Sequence, residues 1–419
     1  MRWACDPGVS VIVIQNNARS TRHSSFVAAL DHGQGVLRMA PNWVPRSFCV
    51  PGHRIKLHPD DYFALGGARG GIDERWLSST IRADNGPLTG ADEGLSFAVG
   101  PDGDRLPFDE VVADLAADLI GERLWTGYGG WPMYAKFFDN EGPLPFHVHH
   151  SDEMARLVGR QGKPEAYYFP PQMNNHLGTT PWSFFGLIPG TSKEEFKGRL
   201  AGFGTKGDNR VTDLSVAYRV QLGTGWDMPV GCLHAPASVC TYEPQWGSDV
   251  FAMCECWTSS RTIPDDLLWK DVPPERRGDL DFIVSLIDWE TNTSPDFFRS
   301  RFSPPVAIEG FPEGGQENWV VYRSQRFSAK ELTVFPGHRV LVKDAAAYGC
   351  IAVQGRGSLG SWAVETPTLV RYGQLTSDEF FVSERAAQAG VWVSNTSETE
   401  TLVILKHFGP KNRDNWLAE

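Results

Sequence analysis

The sequence predicts a mainly β protein made of two strand-rich blocks with a few short helices. Among its 419 residues are 43 glycines and 29 prolines, with 15 tryptophans and 24 phenylalanines, a balance that favours short strands joined by tight turns. Apolar residues alternate in short runs between residues 132 and 256, and the strand-and-turn pattern returns from Val320 to Phe408. Finally, His147-Val-His149, Lys163-Pro164-Glu165 and Gly231-Cys-Leu-His234 spread three imidazoles and one carboxylate over three strand-like segments. That is the order and grouping a jelly-roll metal site needs.

The length exceeds the usual size of a single core, so two domains are the default. With 41% hydrophobic and 21% charged residues, the chain is ordinary globular protein rather than disordered or membrane protein. A net charge of −12 argues against a nucleic-acid surface and gives no attraction to anionic membranes. It leaves a phosphorylated substrate open, since a few local cations suffice for one. The seven cysteines show no disulfide framework and no Cys-x-x-Cys knuckle, which points to a reducing compartment. Cys254 and Cys256 read as small buried hydrophobes. The early apolar run Val9 to Ile14 is too short for a signal h-region or a membrane span. A cytoplasmic location is expected, and the oligomeric state is left open.

Along the chain, residues 1–260 form the first expected domain. Its one long helical pattern runs from Phe108 to Leu124, with Val111, Val112, Leu115, Leu119 and Ile120 near a 3.6 period. Asp109 and Glu110 suit the positive end of that helix. Thr191-Ser192 through Leu200 reads as a short capped helix. In His58-Pro59-Asp60-Asp61 the proline marks a turn, with the aspartates opening a short helix. Gly66-Gly67-Ala-Arg69-Gly70-Gly71 reads as a flexible loop near the site. It lacks the setting of a phosphate-binding P-loop, although Arg69 and Arg75 could reach a phosphate if the loop folded over a pocket. Residues 261–319, rich in Pro, Asp, Glu and Arg, form a connector with one or two helical turns. Residues 320–419 form the second domain, in which Gln354-Gly-Arg-Gly357 marks a hairpin turn. Its strand-rich part holds only His338 and His407, too far apart to repeat the metal pattern, so it is expected to be free of metal.

Residues two apart on a strand face the same way, so His147 and His149 share a face. A third ligand from a neighbouring strand and a fourth from a distant one would complete the shell. Three nitrogens and one carboxylate oxygen suit zinc, iron, manganese or nickel, and are too nitrogen-rich for calcium or magnesium. His150 should point away from this face, toward solvent or the outside of the ligand shell. Lys163 shares the face of Glu165 on a regular strand, which makes it a candidate acid or substrate-holding group. Glu243 is the more natural base by chemistry.

These motifs resemble those of the type I phosphomannose isomerases, within the cupin superfamily. Lys163-Pro164-Glu165, followed by Tyr167-Tyr168, matches the Lys-Pro-Glu motif of that family. Pro229-Val-Gly231-Cys-Leu-His234 matches its Pro-x-Gly-x-x-His motif. Glu243 with Ser248-Asp249 matches its Glu and Ser-Asp pair. His147-Val148-His149-His150 stands where the family has Gln-x-His-Pro, with His147 in place of Gln. The resemblance covers roughly residues 40–260 by motif and a second jelly roll near 320–408 more loosely. It implies two cupin (jelly-roll) domains, only the first with a metal site, and the ligands His147, His149, Glu165 and His234 around one divalent ion, zinc first.

The implied activity is aldose–ketose isomerisation of a sugar or sugar phosphate, mannose 6-phosphate being the family substrate, through an enediol. One position departs from the pattern: four residues past Ser248-Asp249 the family has an arginine and this chain has Met253. Two further readings therefore stay open. The 3-His-1-Glu set would also support another cupin enzyme, such as an iron dioxygenase, and a non-catalytic sugar-binding protein could keep both metal and pocket.

Overall fold

The computed structural model describes residues 21–175, 177–204, 207–410 and 412. Cys5 and the apolar run Val9 to Ile14 lie outside the described residues. The fold is mainly β, as the alternating runs require, and its metal-site half is a jelly roll of two facing antiparallel sheets.

One of these sheets has seven strands in the order Phe302–Ser303, Gly225–Met228, Glu165–Tyr168, Thr241–Trp246, Met133–Phe138, Ile72–Leu77 and Asn42–Pro45. The other has five, in the order Val216–Arg219, Trp182–Phe185, Leu233–Ala235, His147–Val148 and Ala252–Met253. Phe138, Tyr167, Phe185, Trp226 and Met228 pack as one buried cluster drawn from both sheets. At about 25 cal/mol per Å² of apolar surface removed from water, aromatic and aliphatic burial of this kind is the main force closing the sandwich.

The second half repeats the layout with a nine-stranded sheet and a four-stranded sheet of Arg339–Val342, Val391–Asn395, Arg356–Leu359 and Trp362–Glu365. Sheet pairing crosses the expected domain limits, because Val36–Ala40 pairs with Glu379–Val382 and carries Phe97–Val99 and Arg105–Pro107 onto the nine-stranded sheet. Gln354-Gly-Arg-Gly357 is not a hairpin turn. Gly355, at φ 82°, bends the chain out of Tyr348–Gln354 in the large sheet into Arg356–Leu359 in the small one. A side chain there would meet Thr401 O at 2.4 Å, so the change of sheet needs glycine.

The helical pattern from Phe108 to Leu124 is broken into Phe108–Leu115, Ala117–Ile120 and Glu122–Tyr128. The breaks fall at Ala116 (φ 47°) and Gly121 (φ 85°). Each short piece can then turn its apolar residues into the common core, where Val111, Leu115, Leu119 and Ile120 are all buried. Ser192 caps Lys193–Leu200 by accepting from Glu195 N, and His58 precedes a single turn over Pro59–Asp61. The 261–319 segment holds Leu280–Ser285, Trp289–Asn292 and Phe297–Arg301 as helical pieces. Phe282, Ile283 and Leu286 are packed with Phe146 and with Val148 and Leu233 of the five-stranded sheet, so this segment covers the back of the strands that carry the histidines. Six cysteines among the described residues are free and buried, Cys254 and Cys256 included. Among the described residues, no helix is long and apolar enough to cross a membrane.

Candidate metal centre

His147 lies in the strand His147–Val148, and His149 follows directly after it. The strand Leu233–Ala235 runs antiparallel beside them, with His234 opposite His147. Glu165 opens the strand Glu165–Tyr168 on the facing sheet. One donor atom from each of the four residues lies within 4.8 Å of the others, close enough for a single ion to reach all of them. His147 is 5% exposed and the other three 2% or less. The neighbouring strand therefore supplies His234, the residue remote in sequence, whereas Glu165 reaches in from across the sandwich.

The turn before His234 depends on Gly231, at φ 74°. Its N–H donates to His149 O and its carbonyl accepts from Asn292 Nδ2 at 2.8 Å. The first of these bonds, backbone to backbone, ties the turn before His234 to His149, and the Asn292 side chain holds the turn from the other side.

The orientation of the rings is settled by their outer nitrogens. Nδ1 of His147, His149 and His234 lies 2.7, 2.7 and 2.8 Å from the carbonyls of Pro145, Val250 and Cys232. A carbonyl only accepts, so each neutral ring carries its proton on Nδ1 and turns an Nε2 lone pair inward. Glu165 Oε2 is 2.9 Å from His149 Nε2, and Oε1 is 3.0 Å from His234 Nε2. Those are contacts between acceptors, which repel unless a cation lies between them. Glu165 Oε2 and His234 Nε2 also lack any hydrogen bond of good geometry while fully buried. The four residues thus fit a divalent ion by charge, donor type and supporting hydrogen bonds.

Burial pushes His147 well below the usual histidine range, helped by His234 and His149. Burial, and then Lys163, push His149 down to about 3. Burial alone would raise the Glu165 carboxyl, but Lys163, His149 and His234 outweigh it and hold that group well below the carboxylate range. Tyr167 donates its hydroxyl hydrogen bond to Glu165 Oε1. The shifts of His147, His149 and Glu165 are thus in the direction of their metal-binding forms.

Lys163 and Glu243 both border this cluster. Lys163 Nζ is 2.9 Å from Glu165 Oε2, 3.2 Å from His149 Nε2 and 3.7 Å from Glu243 Oε1. Burial, then the Glu165 charge, push the Glu243 carboxyl well above its usual range. Beyond Glu243 a buried chain of alternating charges continues. Lys136 Nζ is 3.4 Å from Glu243 and 3.0 Å from Glu74; Arg46 then joins Glu74 at 3.1 Å to Asp249 at 3.1 Å. In such a chain each charge is desolvated and held by its two neighbours, which fixes Glu243 without a bulk counter-ion.

No protein-family model and no curated protein sequence matches the chain. Solved structures do. Mannose 6-phosphate isomerase from Bacillus subtilis superposes with a TM-score of 0.60 at 15% identity, over 90% of this chain and 100% of that one. A variant of phosphomannose isomerase from Salmonella typhimurium gives 0.62 at 10% identity, over 90% and 100%. A zinc-bound mannose 6-phosphate isomerase gives 0.61 at 10% identity with the same coverage. The chain has the phosphomannose isomerase fold. Both of its jelly rolls are included in that likeness, and among the described residues the single cluster of converging histidine and carboxylate donors is in the first.

Within this isomerase fold several expected contributors are placed elsewhere. Arg75 is buried against Asp378 and Glu379, and Arg69 is paired with Glu93. Both guanidiniums are held by carboxylates, and neither is among the groups that meet at the metal cluster. His150 faces away from the four clustered donors, as alternation requires. It is fully buried rather than solvent-facing, with Nε2 2.9 Å from Asp271 O. Met253 lies opposite His147 on the adjoining strand and packs with Phe251 and Ile263. Arg46 and Lys136 were not anticipated. A lone lysine inside Met133-Tyr-Ala-Lys-Phe-Phe138 was the available signal, since a charge in a buried apolar run needs an ion partner.

His407 gives a test of buried-histidine linkage away from the metal cluster. It is fully buried, its Nδ1 is 2.9 Å from the Tyr242 hydroxyl, and burial pushes it down to about 3. Its contribution is complete above the unfolded value near 6.5 and is lost as pH falls toward 3, because the unfolded chain protonates first. Between pH 7 and pH 5, wild type is expected to lose about 2 kcal/mol relative to His407→Gln. Urea unfolding of both proteins at the two pH values measures this; a constant gap would contradict it.

Proposed function

We propose that this protein is a metal-dependent aldose–ketose isomerase acting on a sugar or sugar phosphate through an enediol, with His147, His149, Glu165 and His234 as its metal ligands. The observation that carries this reading is the set of three inward Nε2 lone pairs around Glu165, with Lys163 and Glu243 buried against it. Zinc is the expected ion, with iron, manganese and nickel able to use the same donors.

When bound, the ion supplies Lewis-acid stabilisation of negative charge on the sugar oxygens. Glu243 acts as the base that takes the proton from C2 and returns it to C1. Burial and the Glu165 charge raise its pKa, the direction that makes a carboxylate a stronger base. Lys163 holds a substrate oxygen and, with Lys136, balances the charge on Glu243 as the proton moves. Met253 leaves His147 with an apolar neighbour, so no cation from that strand takes part in the transfer.

The test is solvent exchange in D₂O, with metal-loaded protein and a panel of hexoses, pentoses and their phosphates followed by NMR at C2–H. Deuterium at C2 with one sugar is the expected result and identifies the substrate class. Absence of exchange throughout, in protein shown to hold its metal, would overturn the isomerase reading. Oxygen uptake by the iron-loaded form would then favour a dioxygenase, and sugar-dependent thermal stabilisation without turnover a binding protein.

A further inference from the structure

Behind the Lys163-Pro164-Glu165 segment lies a cleft of about 260 Å³. Its walls carry three guanidiniums, Arg301, Arg323 and Arg326, with Pro164, Asp227 and Pro229 among the other lining residues. Lys163 and Glu165 meet on the inner side of their strand, with Nζ and Oε2 2.9 Å apart. Pro164 between them therefore turns to the opposite side. None of the four residues of the metal cluster lines this cleft.

Its charge is only partly compensated. Arg301 Nη1 is bound to Asp227 at 2.9 Å, which leaves its buried Nε without a hydrogen-bond partner. Arg326 is paired with Asp152 on one side and lies over the Trp246 ring at 5.0 Å. Among the described residues, no carboxylate pairs with Arg323. Its Nε donates to Ser303 Oγ at 3.2 Å and its Nη2 to Phe302 O at 3.0 Å, and the residue is exposed. In a chain of net charge −12, a local excess of cations converging on one cavity is a selective feature. The fixed guanidinium fork is suited to the oxygens of a phosphate group.

We infer that this cleft is an anion site for a phosphate group, distinct from the metal centre, with Arg323 as its main contact and Arg301 and Arg326 as its flanks. Because its floor includes Pro164 and Pro229, an occupant would touch the segments leading to Glu165 and to Gly231, whose N–H bonds to His149 O. The site is thus placed to sense a phosphorylated metabolite and to adjust the ligand strands.

The probes are inorganic phosphate and pyrophosphate, titrated calorimetrically into metal-loaded wild type, Arg323→Gln, Arg326→Gln and the metal-centre variant His147→Ala. Loss of one charge-assisted contact should weaken binding on the order of tenfold for Arg323→Gln, with a smaller loss for Arg326→Gln. His147→Ala should bind both probes like wild type, which separates this site from the metal and from the isomerase reading. The inference is overturned if wild type binds neither probe, if Arg323→Gln binds as wild type does, or if His147→Ala abolishes binding. Arg323 is exposed, so its replacement leaves the fold intact and the comparison readable.

Discussion

Replacement of His234 by alanine is expected to empty the metal centre and to lower isomerisation by about 10³-fold, since Lewis-acid stabilisation is worth several kcal/mol and each 1.4 kcal/mol is tenfold. His234 is the proposed ligand that links the two parts of the cluster. It lies opposite His147 in the sheet and 3.0 Å from Glu165 Oε1. Its removal leaves Glu165 with one imidazole partner instead of two and removes one of three nitrogen donors. Metal content by elemental analysis and turnover in the same preparation are the two readouts. A variant that keeps one ion per chain would sink the ligand assignment whatever its activity. One that loses the ion yet still turns over would sink the metal-dependent reaction. Strand pairing by backbone does not depend on the imidazole, so circular dichroism should be unchanged.

The largest expected effect on stability lies in the second jelly roll, far from this chemistry. Lys406 Nζ is 2.5 Å from Glu317 Oε1 and 2.6 Å from Asp344 Oδ2. Lys330 Nζ closes the ring at 3.1 Å from Glu317 Oε2 and 2.5 Å from Asp344 Oδ1. All four residues are buried, and Lys406 also lies 4.9 Å from the Tyr348 ring centre. Burial would lower the Lys406 pKa, but Asp344 and Glu317 outweigh it and raise it. Lys406→Met leaves two buried carboxylates to share one lysine, which costs about 3–5 kcal/mol. Against a total stability of about 5–15 kcal/mol this is enough to unfold part of the population at 37 °C. Urea unfolding measures it, and a loss below about 1 kcal/mol would show that water reaches the quartet. The folded fraction should still hold metal, because the quartet shares no residue with the metal cluster.

That quartet also shows which contacts of the second jelly roll lie beyond local sequence. Absence of a histidine pattern was visible, and the expectation of no metal site followed. What replaces the metal as the polar content of the second block was not visible. Glu317, Lys330, Asp344 and Lys406 are spaced irregularly, and only the pairing of Ser328–Val334 with Leu402–Phe408, which sets Lys330 opposite Lys406, brings the two lysines together. The same limit applied to Arg46, Glu74 and Asp249, three charged residues 28 and 203 positions apart.

In the first block much more was legible. The alternation of His147 and His149, the intact Lys163-Pro164-Glu165 and the turn before His234 were each local patterns with a physical meaning. The structure brings all four donors together as those patterns implied. The helical pattern from Phe108 to Leu124 misled because periodicity reports which residues are apolar, not whether one straight axis can bury them. The chain turns at Ala116 and Gly121 so that they can.

By itself, then, the sequence determined the strand-rich class, the donor set and the local faces on which the donors stand. These depend on alternation and turn chemistry within a few residues. Tertiary structure alone decided that His234 is the neighbour of His147, that Glu165 crosses from the facing sheet, and that Arg69 and Arg75 are consumed by ion pairs. Strand order and charge pairing join residues tens to hundreds of positions apart. Such contacts are selected by the burial of whole sheets and the cost of leaving a desolvated charge unpaired, and neither quantity is defined until the chain is folded.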